Sequence, residues 1–247
     1  MNAARIALRN LSRQKRRSFL LGGAVAFGIL VITLITSLAA GFMVNVQENF
    51  ASFLAGHIFV SGFEKSASGR LLEVIRDDRE LLDAIVNASG FDGGAIARRS
   101  SLSGNLIFEG RSVMQSVTGV DWTAETKLAD RIVLRAGSME GFLAEPDGLI
   151  LNEKIAERLR AQVGETLLVQ LRTTAGQQNV GEFLLAGTTV DTGILSTITA
   201  YAHRGHVNTL LDISPDDYTQ LCITAENLVA VDLAADQAYA ALKDRID

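Results

Sequence analysis

The apolar positions of this chain fall into two regimes that meet near residue 48. From Ser18 to Gln47 no side chain is charged, and residues 19–44 read FLLGGAVAFGILVITLITSLAAGFMV. A hydrocarbon core of about 30 Å takes roughly 20 helical residues, so the run can cross a bilayer with some tilt, or cross and continue as a stalk. Twelve of the 22 residues from 19 to 40 are Leu, Ile, Val or Phe. Together these favour insertion by roughly 4 to 7 kcal/mol. The competing reading is a cleaved signal peptide, with Ser37-Leu38-Ala39 at the cleavage site. Signal peptides carry an apolar region of about 7–15 residues, and this one is much longer. A retained transmembrane helix over 18–47 is the expectation.

Past the span the pattern shortens to that of a mixed α/β domain. Residues 57–61 (HIFVS) read as a strand ended by Gly62. Asp77 with Glu80 three residues on opens a helix whose apolar face is Leu81, Leu82, Ile85 and Val86, closed at Gly90. Residues 102–108 and 112–120 flank Glu109-Gly110-Arg111 as a hairpin. A strand over 149–151 runs into a short helix over 153–162, closed by Gly164. Residues 167–172 and 182–190 read as two strands joined by a Gly/Gln turn. Ser214-Pro215 has the form of a helix N-cap and first residue. A strand over 228–233 and a helix over 234–246 complete the pattern.

Charge sharpens this division. Residues 1–17 hold six basic side chains (Arg5, Arg9, Arg13, Lys15, Arg16, Arg17) and no acidic one. The 17 basic and 28 acidic residues that remain leave 18–247 with a net charge of −11. No basic stripe follows Arg17, so nucleic acid is not an expected partner. The basic end suits anionic lipid headgroups, and the positive-inside rule puts the N-terminus in the cytoplasm with the bulk outside. Ala4, Leu8 and Leu11 share one helical face, and Arg5, Arg9, Arg13 and Arg16 another. The segment is either a short helix lying on the membrane surface or simply a run of flanking charges. Within the span, Thr33, Ser37 and Gly41 recur every four residues, with Ala24 and Gly28 further up, as a small-residue packing face.

Several of these features resemble, in order and spacing, the permeases of the MacB/FtsX/LolC-LolE class of ABC transporters. Ala4–Arg17 follows the pattern A-x-x-x-L-R-N-L-x-R-x-x-R-R. Gly56-His57-Ile58 and Gly119-Val120-Asp121 come next. Residues 148–166 (GLILNEKIAERLRAQVGET) follow a strand–helix–turn pattern ending V-G-[DE]-T. The resemblance implies an α+β fold: one transmembrane helix, then an extracytoplasmic domain over 48–247. In that domain a Porter-like part (48–121 and 212–247) would carry a β-rich Sabre-like insertion (122–211). It also implies a bacterial inner-membrane location, a separate ABC ATPase subunit and a second permease subunit. Lipoprotein or other amphipathic cargo, or a periplasmic adaptor, would be engaged outside.

Candidate chemistry points the same way, toward a non-catalytic chain with no catalytic residue, cofactor or metal site expected. Gly176 and Gly181 have the spacing of a phosphate-binding loop, but Glu182-Phe183 stand where Lys-[Ser/Thr] is required, and a hairpin turn explains them. His203 and His206 form an H-x-x-H; Gly205 between them speaks against a helix, so two loop histidines are expected. Cys222 is the only cysteine, which excludes an intrachain disulfide. Asn87-Ala88-Ser89 is a glycosylation sequon read as incidental, and Asp77, Asp78 and Glu80 as ordinary acidic bias at a helix start. A membrane-anchored extracytoplasmic enzyme or binding domain is the alternative. A single-pass sensor is disfavoured, because 17 residues are too few for a folded output domain. The last 14 residues (AADQAYAALKDRID) show a helical pattern with no closing signal, so a fragment of a longer permease or a split subunit is expected.

Overall fold

The computed structural model describes residues 15–50, 56, 58–65, 69–76, 78–86, 95–191, 199–224, 231, 235–236 and 239–240. The chain divides into two compact units, Met1–Asn49 and Phe50–Asp247.

The described part of the first unit is helical, in helix α1, Lys15–Phe50, whose last residue opens the second unit. Its apolar stretch Phe19–Met43 is 25 residues long, about 37 Å at 1.5 Å per residue. Large side chains point outward all round it, Phe19 being 81% exposed. A helix that is apolar on every face and covered on none is matched to lipid, not to water. Two of its hydroxyls are satisfied within the helix: Thr33 donates to the Ile29 carbonyl at 2.8 Å and Thr36 to that of Ile32 at 2.9 Å. This limits what polar groups cost in hydrocarbon.

The second unit is built on strands β1 (Ile58–Ser61), β2 (Phe63–Lys65), β3 (Leu71–Glu73), β4 (Ala95–Phe108), β5 (Arg111–Val120) and β6 (Leu134–Gly137), and continues through β7 (Gly148–Asn152), β8 (Thr166–Arg172), β9 (Gln178–Thr189), β10 (Thr199–His203) and β11 (Gln220–Thr224). Its helices are α2 (Arg79–Val86), α3 (Thr126–Arg131), α4 (Met139–Ala144), α5 (Glu153–Leu159) and α6 (Arg204–Leu211). Six strands form a closed ring. β4 pairs antiparallel with β5, β5 parallel with β10, β10 antiparallel with β7, β7 parallel with β9, β9 antiparallel with β8, and β8 antiparallel with β4. Strict alternation supplies the interior: along β8, Leu167, Val169 and Leu171 are buried and their neighbours exposed. With Leu106, Leu149, Leu151, Phe183 and Leu185 they make the main core, closed by Ile155 and Leu159 of α5 and by Val207, Leu210 and Leu211 of α6. The ring takes strands from both sides of residue 122.

Two smaller clusters flank it. Val120, Trp122, Leu128, Phe142, Ile150 and Tyr201 pack beside α3 and α4. Ile58, Ile75, Tyr218, Leu221 and Ile223 form a layer where β11 lies between β1 and the start of β4, with Leu81 and Leu82 of α2 against it.

The expected hairpin is present, turning at Glu109 (φ 45°) and Gly110 (φ 78°). Its first strand begins seven residues earlier than the apolar run suggested, at Ala95. The helix expected over 153–162 stops at Leu159, because Arg160 turns left-handed (φ 60°). Ser214-Pro215 starts no helix: the Asp217 amide closes a tight turn on the Ser214 carbonyl at 3.1 Å. The helix lies just before it, as α6, despite Gly205 in its first turn. Of the strand expected over 228–233 only Val231 is described, and it is helical; Ala235, Asp236, Tyr239 and Ala240 are helical as expected. Asp77 and the sequon at 87–89 lie outside the described residues.

Candidate functional site

The polar chemistry of the second unit gathers midway along β4. This strand pairs with β11 through residues 95–99 and with β5 from residue 100 onward. At the change of partner stand Arg98, Arg99, Ser100 and Ser101, and all four are tied.

Successive strand residues face opposite ways, so the two arginines serve different sides. Arg98 Nε lies 2.6 Å from Asp78 Oδ2 at the start of α2, and the Tyr218 hydroxyl donates to the same oxygen at 2.8 Å. Arg99 is 3% exposed. Its guanidinium grips the Glu125 carboxylate, with Nη2 2.6 Å from Oε2 and Nε 3.1 Å from both oxygens. Ser100 donates to Asn208 Oδ1 at 2.5 Å, and the Ser101 amide donates to the Thr219 hydroxyl at 2.9 Å. Asn208, buried on α6, sends its amide to the carbonyls of Ser214, Pro215 and Asp217. Arg204 at the head of α6 donates to the Arg98 carbonyl at 3.3 Å and to Asp121 at 3.2 Å.

The ionisation states follow. Burial pushes the Asp78 carboxyl up, but hydrogen bonds from Arg98 and Tyr218 outweigh it and hold it below the ordinary carboxylate range. Asp121 is also lowered, first by its bond from the Thr123 hydroxyl, with burial opposing and the Arg204 charge adding. Burial works against charge on Arg99, and Glu125 overcomes it. Burial pushes the Cys222 thiol up to about 11, so at neutral pH it is an uncharged core group.

Beside this junction lies a cleft of about 460 Å³, lined in part by Asp121, Trp122, Leu143, His203, Arg204 and Pro215. Its walls are fixed. The Trp122 indole donates to the Ala202 carbonyl at 3.2 Å and meets Phe142 edge-on at 5.1 Å. His203 stacks on Phe142 at 4.7 Å, with Nε2 3.1 Å from the Phe142 carbonyl. His206 faces elsewhere, 2.8 Å from the Glu182 carbonyl. The two histidines are therefore not loop residues: one ends β10 and the other sits on α6. No group of three metal-ligating side chains occurs among the described residues.

The quoted sequence motifs acquire physical reasons here. Gly56 has φ 72°, and a Cβ on it would stand 2.7 Å from the Ile223 carbonyl oxygen. Gly119 lies under α6, where a Cβ would come 2.8 Å from that of Val207, and Asp121 after it engages Arg204. In the 148–166 motif, β7 enters the ring, Asn152 caps α5 at the Lys154 amide (2.9 Å), and the Gly164 amide returns to Leu185 at 2.8 Å. Gly176 sits at φ 79° in the turn between β8 and β9, and Glu182 is a strand residue, as the hairpin reading requires.

On α1, Thr33 and Ser37 line one shallow groove with Ala26, Ile29, Leu30, Leu34 and Leu38; Gly41 lies one turn beyond Ser37. Arg16 and Arg17 are exposed and Lys15 is the first helical residue, while Arg5, Arg9 and Arg13 lie outside the described residues. The junction itself was not anticipated. The available signal was Arg98-Arg99-Ser100-Ser101, an unbroken polar run preceding an apolar strand; adjacent arginines on a strand point to opposite faces, so where one face is covered one of them needs a buried partner.

A family model described as the MacB-like periplasmic core domain matches residues 18–247. No curated protein matches the chain. Similar solved structures include the extracellular domain of the noncanonic ABC-type transporter YknZ from Gram-positive bacteria, at 12% identity and TM-score 0.46, covering 76% of this chain and 94% of that one. Another is the periplasmic region of MacB from Actinobacillus actinomycetemcomitans, at 13% identity and TM-score 0.44, covering 81% and 89%.

Proposed function

The chain belongs to the MacB-like periplasmic core domain family, and from that premise we propose that it serves as a permease subunit, or the N-terminal part of one, of an ABC transporter. The match over residues 18–247 carries this reading, because it takes in the apolar helix and the outer domain together. A separate ATPase subunit would hydrolyse ATP in the cytoplasm, and a second permease subunit would complete the membrane part. The membrane is the bacterial inner membrane, with the N-terminal arginines cytoplasmic and the bulk periplasmic. The cargo is a lipoprotein or another amphipathic molecule, handed to a periplasmic partner.

In this role the outer domain must move as a lever and not deform. The β4 junction supports that reading, since a strand shared by two layers and tied at four consecutive residues resists hinging there. The Porter-like part (48–121 and 212–247) and the Sabre-like insertion (122–211) would then join through shared strands rather than through a linker. Thr33, Ser37 and Gly41 would face another membrane helix; an interhelical hydrogen bond from a side chain such as Thr33 or Ser37 contributes on the order of 0.6 kcal/mol.

Purification of the full chain from its native membrane, with mass spectrometry of bound protein and lipid, tests the proposal. Stoichiometric recovery of an ABC ATPase with lipoprotein or lipid is expected. Recovery without any ATPase, under conditions that preserve other membrane complexes, would overturn the permease reading.

A further inference from the structure

Where the chain leaves the apolar run of α1 it becomes rich in phenylalanine and free of charge. Residues 49–63 contain no Asp, Glu, Lys or Arg, yet hold Phe50, Phe53, Phe59 and Phe63, four of the protein's 11 phenylalanines. Those that fall in described strands are left on the surface. Phe59 on β1 is 47% exposed and Phe63 on β2 is 64% exposed. β2 pairs with β3 so that Phe63 opposes Glu73 and Lys65 opposes Leu71. The alternate residues Glu64 and Leu72 are less exposed, which puts Phe63, Lys65, Leu71 and Glu73 on one outer face, with one charge of each sign. Phe63 and Leu71 are diagonal neighbours there, close enough for an aromatic ring to touch. Soluble surfaces usually scatter such side chains singly.

Covalent reach determines what this face can meet. α1 runs seven residues past Met43, about 10 Å. Residues 51–57 then span at most about 25 Å before β1 begins. A tether of that length lets the face reach the lipid surface at high effective concentration. Charge selects the orientation. Residues 18–247 carry a net −11 and would be repelled by anionic lipid. The β2–β3 face, where Lys65 offsets Glu73, does not share that net charge, and Lys65 can reach phosphate while its stem lies on apolar surface.

Resting on the reading of α1 as a membrane span, we propose that the outer face of the β2–β3 sheet docks on the lipid surface of that same membrane. Phe63 and Leu71 enter the boundary between headgroups and acyl chains, and Lys65 engages phosphate. The outer domain thus has a second, reversible foothold on the membrane.

The test uses the full chain, one copy per nanodisc of phosphatidylethanolamine and phosphatidylglycerol, with and without brominated acyl chains. Tryptophan is introduced singly as Phe63→Trp, as Val180→Trp on the exposed outside of β9, and as Val31→Trp within α1. Quenching several-fold stronger at 63 than at 180, with blue-shifted emission, is expected, and adding Leu71→Asp with Lys65→Glu should abolish the excess. Quenching at 31 with none in excess at 63 overturns the docking and leaves the span intact. No quenching at 31 overturns the span and the docking together. A blue shift at 63 that appears only in discs holding two copies assigns the face to a second copy and overturns the lipid.

Discussion

The ring interior and the β4 junction are neighbours on one strand, yet they hold together by different physics. Inside the ring the core cluster is apolar and its contacts non-directional, so its stability follows the volume filled. At the junction Arg99 and Glu125 are buried as charges, and stability follows pairing and geometry. A core of the first kind tolerates repacking, whereas a junction of the second kind admits few substitutes. The contrast separates cohesion that comes from filled volume from cohesion that comes from paired charge.

Three measurements bear on this contrast, all by denaturant unfolding of the full chain read on Trp122, the only tryptophan and a buried one. Phe183→Ala empties the ring centre at a fully buried position and should cost about 4 kcal/mol, with Phe183→Leu recovering much of it. An equal loss in both variants would show that shape, not volume, governs the ring. Glu125→Ala removes the carboxylate that neutralises Arg99 and should cost about 3 kcal/mol. Adding Arg99→Met should restore part of that loss, as relief of a buried charge requires. A double variant as weak as the sum of the singles would refute the pairing account.

The smallest effect concerns acid. Asp78 is lowered in the folded state, so its contribution is complete above the unfolded carboxyl value, about 3.9, and is lost as pH falls through the folded value. Asp78→Asn should therefore cost about 1 kcal/mol at neutral pH, a figure discounted because Arg98 is partly exposed. Stability of the variant should depend less on pH below about 4 than that of the parent. An unchanged acid limb would mean that other carboxylates control it.

Much of this architecture was legible in the order of residues, and the gaps have physical causes. Strands with strict alternation, such as Leu167, Val169 and Leu171, declared themselves, as did the Glu109-Gly110 turn. β10 did not, because Ala200 and Ala202 are small and the strand is paired on both edges, so it shows no amphipathic signature. α6 was hidden by Gly205 and by its polar buried residue Asn208, whose partners are the Ser100 hydroxyl on β4 and backbone carbonyls of the following turn. Ser214-Pro215 misled because Ser-Pro opens tight turns as readily as helices. Ring closure was not legible at all. It depends on β4 meeting β8, a pairing between segments far apart in sequence that no local pattern announces.

That closure has a consequence for the order of assembly. The β4–β5 hairpin is local and can form as soon as it emerges, but its outer edges stay unpaired until later strands arrive. β5 waits for β10, roughly 80 residues downstream, and such distant pairings are slow because loop closure precedes any gain from contact. β1, the first strand of the domain, is sealed only by β11, almost the last. Until His203 and then Thr224 have emerged, the nascent domain carries open strand edges of the kind that invite aggregation. Its folding is therefore timed by synthesis of its far end, and an interruption anywhere between β5 and β11 would leave a sticky intermediate rather than a smaller folded domain.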